Sequence, residues 1–148
     1  MSVDSVQPTR SGLQRMRLVY AAFGVSMLLV VWITQSVCNY GCSDWTLWHW
    51  VMAGLALWAV FGGFQIRGRA IRRSEEALAR DTSNPKALRQ WQAGQIIGMA
   101  FAEAIVFYGA VVRMVLGGTL WQASPFYAAG LFLLLLWSPQ MPHAFARN

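Results

Sequence analysis

Long stretches of this sequence carry almost no charge, and that property decides most of what the chain can fold into. A helix needs about 20 apolar residues, at 1.5 Å rise each, to cross a hydrocarbon core about 30 Å thick. Four stretches meet that need: residues 18–37, 45–66, 96–116 and 120–138. The third contains one acid, Glu103, and the fourth includes the run LFLLLLW. A helix that stopped halfway would leave backbone groups unsatisfied in lipid, so the shortest stretch is also expected to cross. The fold expected is all-α, a single four-helix transmembrane domain over residues 1–148.

The cations fix the expected orientation. Of twelve Lys and Arg, ten fall within residues 10–17 and 67–89. Arg10, Arg15 and Arg17 precede the first span, and Arg67, Arg69, Arg72, Arg73, Arg80, Lys86 and Arg89 lie between the second and third. The segment from Cys38 to Asp44 has no cation, and the turn after the third span has only Arg113 at its edge. The positive-inside rule then puts both termini and the 67–92 loop in the cytoplasm, in a multi-pass protein of the bacterial inner membrane. Trp45, Trp48, Trp50 and Trp121 would mark the opposite interface. The net charge of +6 follows from this flanking pattern and does not call for nucleic acid. Anionic lipid headgroups are the expected partners of the 67–92 loop.

The first span is longer than a signal-peptide core, lacks a small-x-small cleavage site and is followed by three more spans, so it reads as a membrane helix. Residues 1–16 ahead of it are expected to be disordered or interfacial. Arg67 to Arg80 is rich in Arg, Glu and Ala and can carry the second helix on into water. The segment from Asp81 to Pro85 breaks it, with Asn84 as N-cap and Pro85 as first residue of the next helix. The second and third helices therefore form one long hairpin, flanked by a first and a fourth span that face lipid.

Glu103 lies near the middle of the third span, where an ionisable side chain costs about 2.5–3.5 kcal/mol on insertion scales. It needs a hydrogen-bonding neighbour, for which Thr34, Gln35 and Gln65 are the candidates, or else a role in binding a proton or ion. At about 100° per residue, Gly94, Gly98, Ala102 and Gly109 form a separate stripe on the same helix. Gly94 and Gly98 have the GxxxG spacing that lets membrane helices approach closely. Arg113 is about 15 Å further along the axis, out of reach of Glu103 on its own helix.

The run from Gly98 through Glu103 and Tyr108 to Val112 (GMAFAEAIVFYGAVV) resembles the outer helix of the rotary ATP synthase ring subunit, subunit c. Ala79, Arg80 and Pro85 in the preceding turn fit the same pattern, so the resemblance covers about 35 of the 148 residues. It implies that Glu103 is a proton- or sodium-binding carboxyl, supported by Tyr108; independently of the resemblance, Gln65 on the second span is a further candidate for the ion-binding group. The second span departs from that family, with only Gly54, Gly62 and Gly63 among bulky side chains, and two extra spans flank the hairpin. The remainder, through RMVLGG, PFYAAG and WSP, is similar to small four-span bacterial membrane proteins of no known activity.

Cys38 and Cys42 form CNYGC at the outer end of the first span, where a short disulfide is a natural reading. With Asp44 and His49 they offer a weaker alternative as a redox or metal-handling group, although the spacing matches no metal motif. His49 sits among tryptophans at the outer interface, and with His143 at the other end no histidine pair shares a depth for haem. Ser-His-Asp sets, P-loops and dinucleotide fingerprints are missing from the sequence. The chain reads as a non-enzymatic accessory or structural subunit of a larger membrane complex, possessing no cofactor beyond lipid contacts. Its partners would be other membrane subunits or further copies of itself. Proton or sodium translocation through Glu103 is the alternative.

Overall fold

The computed structural model describes residues 7–37, 46–81 and 84–138. They form four helices: α1 (Gln7–Val37), α2 (Leu47–Arg80), α3 (Pro85–Met114) and α4 (Leu120–Leu136). Three of them, α1 to α3, are long and apolar enough to cross a membrane. α4 has 17 residues, about 25 Å of helix, and falls short of the expected 120–138 span and of a full core thickness.

Local chemistry explains the helix ends. Asn84 caps α3, its Oδ1 accepting from the backbone N–H groups of Lys86 and Ala87 at 3.1 and 3.2 Å. Pro85 occupies the first helical position, where a missing N–H costs nothing. α2 runs without a break from Leu47 to Arg80, through the end of the apolar span and onward in its charged extension. The long hairpin expected from residues 67–85 is therefore present as helix. α1 begins at Gln7, well ahead of Leu18, so the segment expected to be disordered or interfacial is helical from that point. α4 contains Pro125, which cannot donate to the carbonyl of residue 121. Ser124 Oγ donates to that carbonyl instead, at 3.1 Å.

α3 is the spine of the bundle. It packs most extensively against α2 on one side and α4 on another, and less against α1. Neighbouring residues give the directions. Gly94 lies against Ala70 and Ile71, and Gly98 against Arg67, so α2 and α3 are antiparallel. Gly109 lies against Tyr127 and Gly98 against Trp137, so α4 is antiparallel to α3 as well. Gly12 meets Gln92 and Ser26 meets Glu103, which makes α1 parallel to α3. All the described cations except Arg113 consequently gather at the end of the bundle that holds the α2–α3 turn.

The picture of two lipid-facing flanks around a hairpin needs correction. α4 is packed as tightly as α2, with Phe126, Tyr127, Leu133, Leu134 and Trp137 all buried. Membrane helices are apolar all round, so hydrophobicity cannot tell a packed helix from a lipid-facing one. The small residues do. A Cβ on Gly130 would come within 2.5 Å of Val106 Cγ2 and 2.8 Å of the Ala102 carbonyl oxygen. Only glycine allows the two backbones this close.

The α3–α4 turn accounts for Arg113. Gly117 takes a left-handed conformation, with φ of +65°, which suits glycine. Gly118 N–H donates to the Val112 carbonyl, and Arg113 Nη1 donates to the Gly118 carbonyl at 2.8 Å. Arg113 is buried and staples the turn. Thr119 and Gln122 form a reciprocal capping box at the start of α4.

Candidate functional site

Glu103 and its partner define the first candidate. Ser26 Oγ, on α1, donates to Glu103 Oε1 at 2.6 Å. Both residues are half-buried. The bond joins the two parallel helices at matched depth. Ser26 lies about 12 Å along the first apolar stretch, counted from Leu18, and Glu103 about 10 Å along the third, counted from Ile96. Interhelical polar contacts in membranes average about 0.6 kcal/mol. This contact is therefore a modest clasp, and it supplies the partner that a mid-span carboxyl requires.

None of the expected partners takes this place. Thr34 donates to the carbonyls of Val30 and Val31 in its own helix, and its Oγ1 lies 3.1 Å from Tyr127 Oη. That hydroxyl pair links α1 to α4. Gln35 is half-buried, and its Nε2 has no hydrogen-bond partner among the described residues. Gln65 is exposed and lines a groove on the far face of α2 with Arg69, Arg72 and Arg73. Tyr108 is partly buried against the core. It lies about 140° around α3 from Glu103 and does not share its hydrogen bond.

A second constellation, which sequence reading missed, centres on Arg67. Its Nη2 donates to Gln95 Oε1 at 3.1 Å, and its guanidinium carbon lies 5.5 Å from the Trp137 ring centroid. Trp137 is itself fully buried and meets Phe64 edge to face at 5.0 Å between centroids. A Cβ on Gly98 would come within 2.6 Å of Arg67 Cδ, so that glycine is the seat of the arginine stem. Arg67 Nε is buried without a hydrogen-bond partner among the described residues. One side chain thus ties α2, α3 and α4 together where α4 ends. The signal available in the sequence was a cation at the last turn of an apolar span, followed by an aromatic at the last turn of another.

The small residues of α3 divide between neighbours. Gly94 faces α2, Gly98 meets both Arg67 and Trp137, and Gly109 lies under Phe126 and Tyr127 of α4. Ala102 is fully buried, with its carbonyl against Gly130. His49 is buried as well: its Nδ1 accepts from the Thr46 backbone N–H at 3.2 Å and lies 2.8 Å from Thr46 Oγ1. Its place is in the N-terminal cap of α2, where an interfacial ring was expected. Cys38, Cys42, Asp44 and His143 lie outside the described residues. Among the described residues, no three His, Cys, Asp or Glu side chains are grouped to hold a metal ion. No protein-family model matches the chain, and no curated protein or solved structure is similar enough to count as a match.

Proposed function

We propose that this chain is a non-enzymatic accessory or structural subunit of a larger complex in a bacterial inner membrane. Both its ends and the α2–α3 turn would lie on the cytoplasmic side, with α4 as the fourth and shortest crossing. The observation that carries this reading is the bond from Ser26 to Glu103. The one acid placed deep in an apolar span has its partner inside the chain, and the two together hold α1 to the spine. The openness of the bundle adds support. Leu57, Trp58 and Phe61 on α2, and Leu28, Leu29 and Trp32 on α1, point away from the core and offer lateral faces to lipid or to other subunits. The experiment is Glu103→Gln, followed by mild-detergent purification of the tagged protein. A structural subunit keeps its co-purifying partners, and their activity persists.

A second reading is proton or sodium binding at Glu103, in line with the resemblance to subunit c. What favours it is a hydroxyl 2.6 Å from a half-buried carboxyl at mid-span, since ion sites in membranes pair such groups. Carbodiimide modification separates the two readings. If Glu103 is labelled, is protected by sodium or high pH, and Glu103→Gln abolishes ion-coupled activity while assembly persists, the structural reading falls.

A further inference from the structure

The exposed face of α2 changes character along its length. Trp58 and Phe61 are 76% and 64% exposed. One to three turns further on, the same face carries Gln65, Gly68, Arg69 and Arg72. At about 100° per residue these six side chains fall within about 100° of one another, with Phe64 and Arg73 at the edges. Phe64, Gln65, Gly68, Arg69, Arg72, Arg73 and Glu76 line an open hollow of about 480 Å³. A Cβ on Gly68 would meet nothing within 4 Å, so the floor of the hollow is bare helix.

We propose that this hollow binds the phosphate headgroup of an acidic phospholipid, whose acyl chains run along Trp58 and Phe61. The charge is only partly compensated. Arg69, Arg72 and Arg73 make no hydrogen bond or ion pair with any described residue. Glu76, the one acid in the hollow, leaves a formal charge of 3 − 1 = +2. Three guanidiniums can each present paired donors to phosphate oxygens, a geometry that lysine cannot match. The hollow also sits at the right height. Arg67, directly beside it, lies level with Trp137 at the end of α4, and the apolar part of α2 ends at that level. Headgroup phosphates occupy that level when the aromatic ledge lies in hydrocarbon.

Other occupants fit less well. A soluble phosphate would use the arginines and ignore the ledge. A second copy docking through this face about a two-fold axis would bring arginines towards arginines, and like charges in contact repel. The net charge of +2 further favours a lipid carrying two phosphates, of the cardiolipin type, over a singly charged one. The inference rests on α2 lying in a bilayer and is independent of any partner subunit or role for Glu103.

The test uses the full chain, purified in mild detergent and reconstituted into zwitterionic phosphatidylcholine vesicles with or without cardiolipin. Flotation confirms membrane residence first, so that a failure of the bilayer reading is seen separately. Native mass spectrometry then counts the acidic lipids retained after detergent washing. The wild type is expected to hold cardiolipin through the wash. The triple variant R69Q/R72Q/R73Q should weaken retention by about fivefold per arginine, on the order of a hundredfold in all. The charge-matched triple R80Q/K86Q/R89Q, at the tip of the hairpin, should change it by only a few fold. W58S/F61S should weaken lipid retention without creating any response to inorganic phosphate. Circular dichroism of each variant verifies that the helices are intact. Equal losses in the two charge triples would reduce the effect to diffuse attraction and overturn the site. So would displacement of the lipid by inorganic phosphate alone, or cross-linking of two copies through residues 58–72.

Discussion

The two contacts that α3 makes with α4 and with α1 are built on opposite principles. Against α4 it uses missing atoms: Gly109 and Gly130 let the backbones close until Val106, Phe126 and Tyr127 interlock. Against α1 it uses one polar bond, Ser26 to Glu103, with Met16 and Met27 buried nearby. The burial figures match the contrast. Half of the apolar stretch of α3 is buried, but only 11% of that of α1. In lipid there is no hydrophobic drive between helices, so close packing is the stronger glue and a lone hydrogen bond the weaker. α1 is therefore the helix held most lightly, even though it carries the partner of the only mid-span acid.

The largest way to break this contrast is Gly130→Leu. The added side chain would run first into Val106 and the Ala102 carbonyl, and about 3 kcal/mol or more of stability should be lost. Unfolding in mixed detergent would read it, and a loss under 1 kcal/mol would show that α4 does not need the close approach. Arg67→Ala comes next, at about 2 kcal/mol, because it removes the bond to Gln95, the contact with Trp137 and the packing of its stem. Near-ultraviolet circular dichroism should change with it as Trp137 loses its fixed surroundings. Ser26→Ala should cost about 0.5–1 kcal/mol. Its signature is local: amide exchange should rise along α1 and stay unchanged in α4. Equal acceleration in both helices would mean that the clasp supports the whole bundle. Gly54→Ala should have the smallest effect. A Cβ there meets nothing within 4 Å, so helix propensity alone predicts a gain of up to about 0.5–1 kcal/mol in the same unfolding assay.

What could be read from the sequence followed from how local each signal is. The α2–α3 hairpin with its cap at Asn84 was legible, because a charged helical extension, a breaker and an N-cap all lie within a few residues. The long apolar helices were legible from composition. The partner of Glu103 was not, because a lone span does not say which helix stands beside it. Depth would have narrowed the choice. Counted from the basic end, Gln35 lies about 25 Å into its span, Gln65 about 1.5 Å into its own, and Glu103 about 10 Å. Ser26 alone among these matches. The roles of Arg67 and Arg113 were hidden for a different reason. A cation at the end of an apolar span reads as an orientation signal, and nothing in one dimension reveals that its guanidinium turns inward to Trp137 or to the Gly118 carbonyl.

The meeting of Arg67, Gln95 and Trp137 has a mechanical consequence. α4 stops there, while α3 continues about 20 Å further towards Pro85 with α2 alongside it. The hairpin is thus a lever whose fulcrum is a single guanidinium under an indole ring. A tilt of about 5° about that point displaces the far end of the hairpin by about 2 Å over an arm of this length, so a small change of angle at the ring becomes a larger shift at the tip.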